Sequence, residues 1–150
     1  MRVIIQRVSE ASVTIDGTIK SSMQKGYLVL AGFEEADAPE DLEWTANKLV
    51  NLRIFDDEND QMNLAIKDVD GDIIIVSQFT LYALTKKGNR PSFIKAAKPE
   101  IAIPLYASFV ELVSMNLGKP VGTGEFGADM KVALINDGPV TIQIDSKNRE

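Results

Sequence analysis

The run Ile73-Ile74-Ile75-Val76, continuing as Ser77-Gln78-Phe79-Thr80-Leu81, constrains the fold of this 150-residue chain more than any other stretch. From Asp72 to Leu81 it reads as the strongest strand in the chain, apolar on both faces and therefore buried. The strand ends in three polar residues within four. Side chains alternate along a strand, so Gln78 and Thr80 share one face, while Ser77 lies on the other with Ile75 and Phe79. Polar groups at the end of a buried strand must be hydrogen-bonded or face a cavity. Two readings follow. Either these side chains satisfy neighbouring backbone, or they form a site in which Ser77 and Thr80 supply hydroxyls and Gln78 an amide.

Other segments group around this strand. Val3-Ile4-Ile5 and Val13-Thr14-Ile15 read as two short strands, followed by the turn Asp16-Gly17 and a third strand from Thr18 to Ser22. Gly26 to Phe33 is an apolar run suited to a central strand. Leu42, Ala46, Leu49, Val50 and Ile54 keep helical spacing, as do Ile101, Leu105, Phe109, Leu112 and Val113. Pro104 fits the second helix only in its first turn. Met130–Ile135 and Val140–Ile144 read as two final strands. About seven strands and two helices, not alternating, predict a single α+β domain over residues 1–150 with a largely antiparallel, barrel-like sheet.

Composition narrows the chemistry. The chain has no Cys and no His. The usual base for a Ser or Thr nucleophile is missing, and a zinc site would have to be built from carboxylates alone. The acidic turn Asp56-Asp57-Glu58-Asn59-Asp60 lacks the alternating ligands and central Gly of a calcium loop. No metal and no cofactor are expected. No apolar run approaches the ~18 residues of a membrane span and no signal peptide precedes the first strand, so the expected location is the cytoplasm, without a membrane partner.

A net charge of −6 argues against nucleic-acid binding over the whole surface. Yet five of the 16 basic residues, Lys86, Lys87, Arg90, Lys95 and Lys98, fall in one segment with no acidic residue among them. That segment is either a solvated loop or a local patch for a partner with a few phosphates, such as one end of an RNA. Gly124-Glu125-Phe126-Gly127-Ala128-Asp129-Met130 is either the entry to the next strand or a loop lining a pocket. Asn136-Asp137-Gly138-Pro139-Val140-Thr141 has hairpin-turn chemistry in Asp137-Gly138, but Pro139 cannot donate to a strand ladder. A cis Gly-Pro bond would suit a tight turn, and composition does not select it.

Taken in order along the chain, these segments resemble the D-aminoacyl-tRNA deacylases of the bacterial and eukaryotic type. The resemblance runs from Gln6-Arg7-Val8 and Val13 to Gly17, through Asn51 to Phe55 and Met62-Asn63-Leu64. It continues through Ser77-Gln78-Phe79-Thr80-Leu81, Gly88 to Phe93 and Thr123 to Met130, and ends at Asn136 to Thr141. Leu84 departs from the polar residue expected there. The resemblance implies hydrolysis of the ester between a D-amino acid and the tRNA acceptor end by a homodimer with sites at the subunit interface; a purely steric filter against L side chains would in addition leave glycyl-tRNA open to some hydrolysis. Gly138-Pro139 would be a cis element that reaches into the partner's site and rejects L-amino acids. Ser77, Gln78, Phe79 and Thr80 would form the facing wall, with Met130 near the pocket and Arg7 fixing the Gly-Pro loop. Lys86, Lys87 and Arg90 would meet acceptor-end phosphates. Two mechanisms remain: Thr80 as nucleophile, or substrate positioning with backbone amides and the ribose 2′-hydroxyl assisting.

Overall fold

The computed structural model describes residues 1–150. Strands β1 (Arg2–Ile15), β2 (Thr18–Met23) and β3 (Gly26–Gly32) are followed by helix α1 (Pro39–Asn51) and a small hairpin, β4 (Phe55–Asp56) and β5 (Met62–Leu64). Strand β6 (Asp72–Ser77) leads through a 3-10 turn (Phe79–Tyr82) to helix α2 (Pro99–Leu117), β7 (Gly122–Thr123) and β8 (Met130–Asp145). The main sheet has six strands in the order β2-β1-β3-β6-β7, with β8 along the other side of β1.

β1 pairs antiparallel with β2, β3 and β8, whereas β6 pairs parallel with β3 and β7. The sheet is therefore mixed, with the predicted antiparallel pairing concentrated around β1. Ser21 of β2 bonds Thr123 of β7 in both directions, its hydroxyl donating to the Thr123 carbonyl (2.6 Å) and accepting from the Thr123 amide (3.1 Å). This contact joins the two ends of the strand order, as the barrel-like curl of the sheet requires.

The central strands are buried on both faces, as their unbroken apolar runs require. Ile73 and Ile75 of β6, with Tyr27, Val29 and Ala31 of β3, pack under the helices against Leu49, Phe109 and Val113. Ile74, Val76 and Leu28 point the other way, into a second core with Val8, Val13 and Met23. α2 has the length and apolar content of a membrane-crossing helix, yet Ala102, Phe109, Val113 and Leu117 set it into the core beside α1.

Three local expectations are corrected. The two short N-terminal strands are one strand. Val3 and Ile5 face the helices while Ala11 and Val13 face the second core, and register shifts between Gln6 and Glu10 change the parity between them. Pro104 lies beyond the first turn of α2, which starts at Pro99. It is exposed, so the carbonyl it leaves unbonded can face water. The strand through Ser77 stops there: Phe79–Tyr82 turn as a 3-10 segment, and simple alternation does not extend to Thr80.

Candidate active site

The polar strand end and the loop before β8 meet. Ser77, Gln78 and Phe79 line one side of a cavity of about 330 Å³, and Phe126, Asp129 and Met130 line the other. Thus the segment Gly124–Met130 is both the entry to β8 and a cavity wall. Gly124 lets the wall close up, because a Cβ there would stand 2.3 Å from the Met130 sulfur. Tyr106 braces the two sides. Its hydroxyl donates to the Ile75 carbonyl (2.7 Å), and its ring lies 6.5 Å from that of Phe126. Burial pushes the pKa of this hydroxyl up to about 12, with a backbone hydrogen bond at Gly124 offsetting part of the rise. It stays protonated through the neutral range.

Thr80 does not line the cavity itself. Its hydroxyl oxygen accepts from Gln78 Nε2 (2.6 Å), so the two side chains act as one unit. The Gln78 backbone N–H donates to the Ala31 carbonyl (2.7 Å), and Gly32 admits this close approach, since a Cβ there would lie 2.8 Å from the Gln78 backbone carbonyl oxygen. The turn is thus pinned to β3. Among the side chains lining the cavity only Asp129 is ionisable, and Lys131 pairs with it at 2.9 Å. The wall holds no His, Cys or Lys, and its one carboxylate is already engaged in an ion pair.

Lys86, Lys87 and Arg90 lie in the exposed loop that leaves the 3-10 turn. Leu84 and Ser92 close its base with two backbone hydrogen bonds, 2.7 and 3.1 Å. Leu84 therefore changes only a side chain and not the bridge. Phe79, 56% exposed, sets its ring edge-on to Phe93 at 5.1 Å and joins the loop to the cavity rim.

Gly138 and Pro139 stand apart from the cavity of their own chain, on an exposed projection of β8. The hairpin expectation is overturned here. Met130–Asn136 and Thr141–Asp145 both pair with β1 in one direction, and residues 137–140 bulge out between the pairs Val8↔Asn136 and Gln6↔Thr141. A hairpin needs its two arms to pair with each other; here β1 is the partner of both. The Gly138-Pro139 peptide bond is cis, and Gly138 has φ +139, a conformation L side chains rarely adopt.

Arg7 sits opposite this bulge. Nearly buried, it donates from Nε to the Asp137 carbonyl (2.8 Å) and from Nη1 to the Ile54 carbonyl (2.7 Å), and pairs with Asp56 at 3.3 Å. Burial pushes the neighbouring Tyr27 hydroxyl up in pKa, and the Arg7 charge offsets part of that. Asn136 and Asp56 enter the sequence reading only as members of turns, and Tyr106 does not enter it; an Asn before Asp-Gly signals only a turn. A larger cleft of about 600 Å³, bounded by Arg2, Trp44, Asp145 and Arg149, lies at the far end of β8 and holds none of the predicted site residues.

The model of the D-Tyr-tRNA(Tyr) deacylase family matches residues 4–145. The chain belongs to that family. Among curated relatives, D-aminoacyl-tRNA deacylases from Flavobacterium psychrophilum and Bacteroides fragilis are 67% and 66% identical over the whole of both chains. A solved structure named c-Myc DNA Unwinding Element Binding Protein is 39% identical, with a TM-score of 0.91, and the match covers 97% of this chain and 98% of that one. The deacylase family's fold is thus the one described above, with two helices on a mixed, nearly barrel-shaped sheet in a single domain.

Proposed function

We propose that this chain hydrolyses the ester joining a D-amino acid to the terminal ribose of tRNA, releasing the free amino acid and reusable tRNA. The observation that carries this reading is the cavity joining Ser77–Phe79 to Phe126–Met130, beside a basic loop and within a chain of the deacylase family. The aminoacyl group would enter the cavity while Lys86, Lys87 and Arg90 meet the phosphates of the acceptor end. Water adds to the ester carbonyl, the ribose oxygen leaves with a proton, and the amino acid departs with a free carboxylate.

Thr80 is a positioning group in this account. A hydroxyl nucleophile needs a base to take its proton, and its only side-chain partner is the Gln78 amide, which is not a base. The remaining route is positioned water, backbone amides on the developing oxyanion, and help from the ribose 2′-hydroxyl. Thr80→Val should therefore keep kcat within about tenfold, the scale of one lost hydrogen bond. A fall to the uncatalysed rate, with folding and tRNA binding intact, would restore Thr80 as nucleophile.

Selectivity is assigned to the Gly138-Pro139 projection of a second copy of the chain. That tip is exposed and lies outside the cavity of its own chain, which supports a homodimer in which each copy supplies the filter to the other. A rigid backbone placed where an L side chain would project excludes it without gripping the D side chain. Glycine has no side chain to exclude, so glycyl-tRNA should be hydrolysed at raised enzyme concentration; complete resistance would remove the steric account.

A second reading, a nucleic-acid-binding module without turnover, is favoured by the name of the 39% identical structure. Incubation with D-tyrosyl-tRNA and, separately, with D-tyrosine methyl ester decides among the readings. Release of tyrosine from the tRNA ester alone is expected. Binding without release would support the module, and equal cleavage of both would make this a general ester hydrolase.

A further inference from the structure

We infer that Asn136 is a positioning residue for stereoselectivity: its side-chain amide ties the two limbs of the residue 137–140 bulge and so sets where the Gly138-Pro139 tip stands. The inference rests on the reading of that tip as the filter.

In the β1–β8 ladder, four residues of β8 stand opposite Arg7 alone. A bulge of that size has lost its ladder bonds and needs other braces to hold one shape. Arg7 holds only the outgoing limb, at the Asp137 carbonyl. The returning limb is held by Asn136, whose Oδ1 accepts from the Val140 amide (2.8 Å) while Nδ2 donates to Thr141 Oγ1 (2.9 Å). Both poles of one amide are in use, and the backbone N–H at Val140 fixes which is which. Val140 in turn is what Gly138 rests against: a Cβ at Gly138 would come within 2.8 Å of Val140 Cγ2 and 3.1 Å of Arg7 Nη2. The tip is thus wedged between a limb that Arg7 fixes and a limb that Asn136 fixes.

A steric filter selects only as well as it resists displacement. Cutting the Asn136 brace leaves Arg7 in place and frees the returning limb, so an L side chain can push the tip aside. The loss should appear as gained hydrolysis of the L-substrate, which a purely structural residue would not produce.

The test compares kcat/KM for D- and L-tyrosyl-tRNA in the full-length protein carrying Asn136→Ala, Asn136→Asp, Thr141→Val or Gly138→Ala. Asn136→Ala should lower the D-over-L ratio about tenfold, the size of one lost hydrogen bond, through a rise in the L rate. Asn136→Asp keeps the acceptor for Val140 and should fall between wild type and Ala; Thr141→Val should shift the ratio less, in the same direction. Gly138→Ala displaces the tip directly and reports on the filter itself. If Gly138→Ala lowers the ratio and Asn136→Ala does not, this inference is overturned and the filter stands. If neither changes it, the filter reading fails and the inference falls with it. D and L rates that drop together with the melting temperature also overturn it, because Asn136 would then only hold the fold.

Discussion

Arg7→Ala should lose both stability and chiral selectivity. The guanidinium is nearly buried and has three partners on two different elements, Asp137 on β8 and Ile54 and Asp56 at the small hairpin. Its removal leaves the buried Ile54 carbonyl without its donor and frees the Asp137 carbonyl, while the half-exposed Asp56 can turn to water, a loss of about 1–3 kcal/mol. Urea unfolding at neutral pH would show a lower midpoint with little change in slope. Arg7→Lys should recover only part of either property, because a single ammonium cannot reproduce a planar fork reaching separated acceptors. Among molecules that remain folded, the D-over-L ratio should fall further than for any single change in the cavity wall. Wild-type stability and selectivity in Arg7→Ala would show that the bulge holds its shape without this anchor.

Neutralising the basic loop should act in a different way. Lys86, Lys87 and Arg90 sit on an exposed loop closed by the Leu84–Ser92 bridge, so their replacement by Gln leaves the fold alone. Each contact with an acceptor-end phosphate contributes about 0.7 to the slope of log affinity against log salt. The triple variant should therefore flatten that slope for KM by about 2 if all three make contact, with the largest rise in KM at low salt. kcat for bound substrate should change little, since none of the three lines the cavity. An unchanged slope would make the segment a solvated loop.

Much of the fold was legible in the sequence because most segments carry one periodicity and one burial demand. Gly26–Gly32 and Asp72–Ser77 are apolar on both faces and are the two-sided central strands. The helical stripes of α1 and α2 were equally plain, except that Ile54, read as part of the first stripe, lies beyond the end of α1 at Asn51. What escaped the sequence was anything set by pairing at a distance. Val3–Ile5 and Val13–Ile15 read as two separate strands, whereas β1 continues between them through a parity change because β8 supports it on one side throughout. Likewise Asp137-Gly138 has hairpin chemistry, but pairing preference is decided by β1, which offers both halves of β8 a partner.

Part of the cavity wall was legible in its residues, and its assembly was not. Polar side chains after a buried strand advertise a cavity, and Ser77, Gln78 and Phe79 do line one. Thr80 reads as equivalent by alternation, yet the chain turns at Phe79 and puts its hydroxyl against Gln78 instead. The opposing wall, Phe126–Met130, carries no chemical signature of its own; small residues and a Phe serve a strand entry equally well. Tyr106 was hidden for the same reason: it lies beside the apolar stripe of α2, and its hydroxyl finds its partner only once β6 is in place.

The most direct test of the account is the rate of deacylation of matched D- and L-tyrosyl-tRNA by the purified wild-type chain, under one salt condition and below saturation. The account predicts rapid release of D-tyrosine, with the L-ester decaying at its uncatalysed rate. Comparable release from both esters, or from neither, would contradict it.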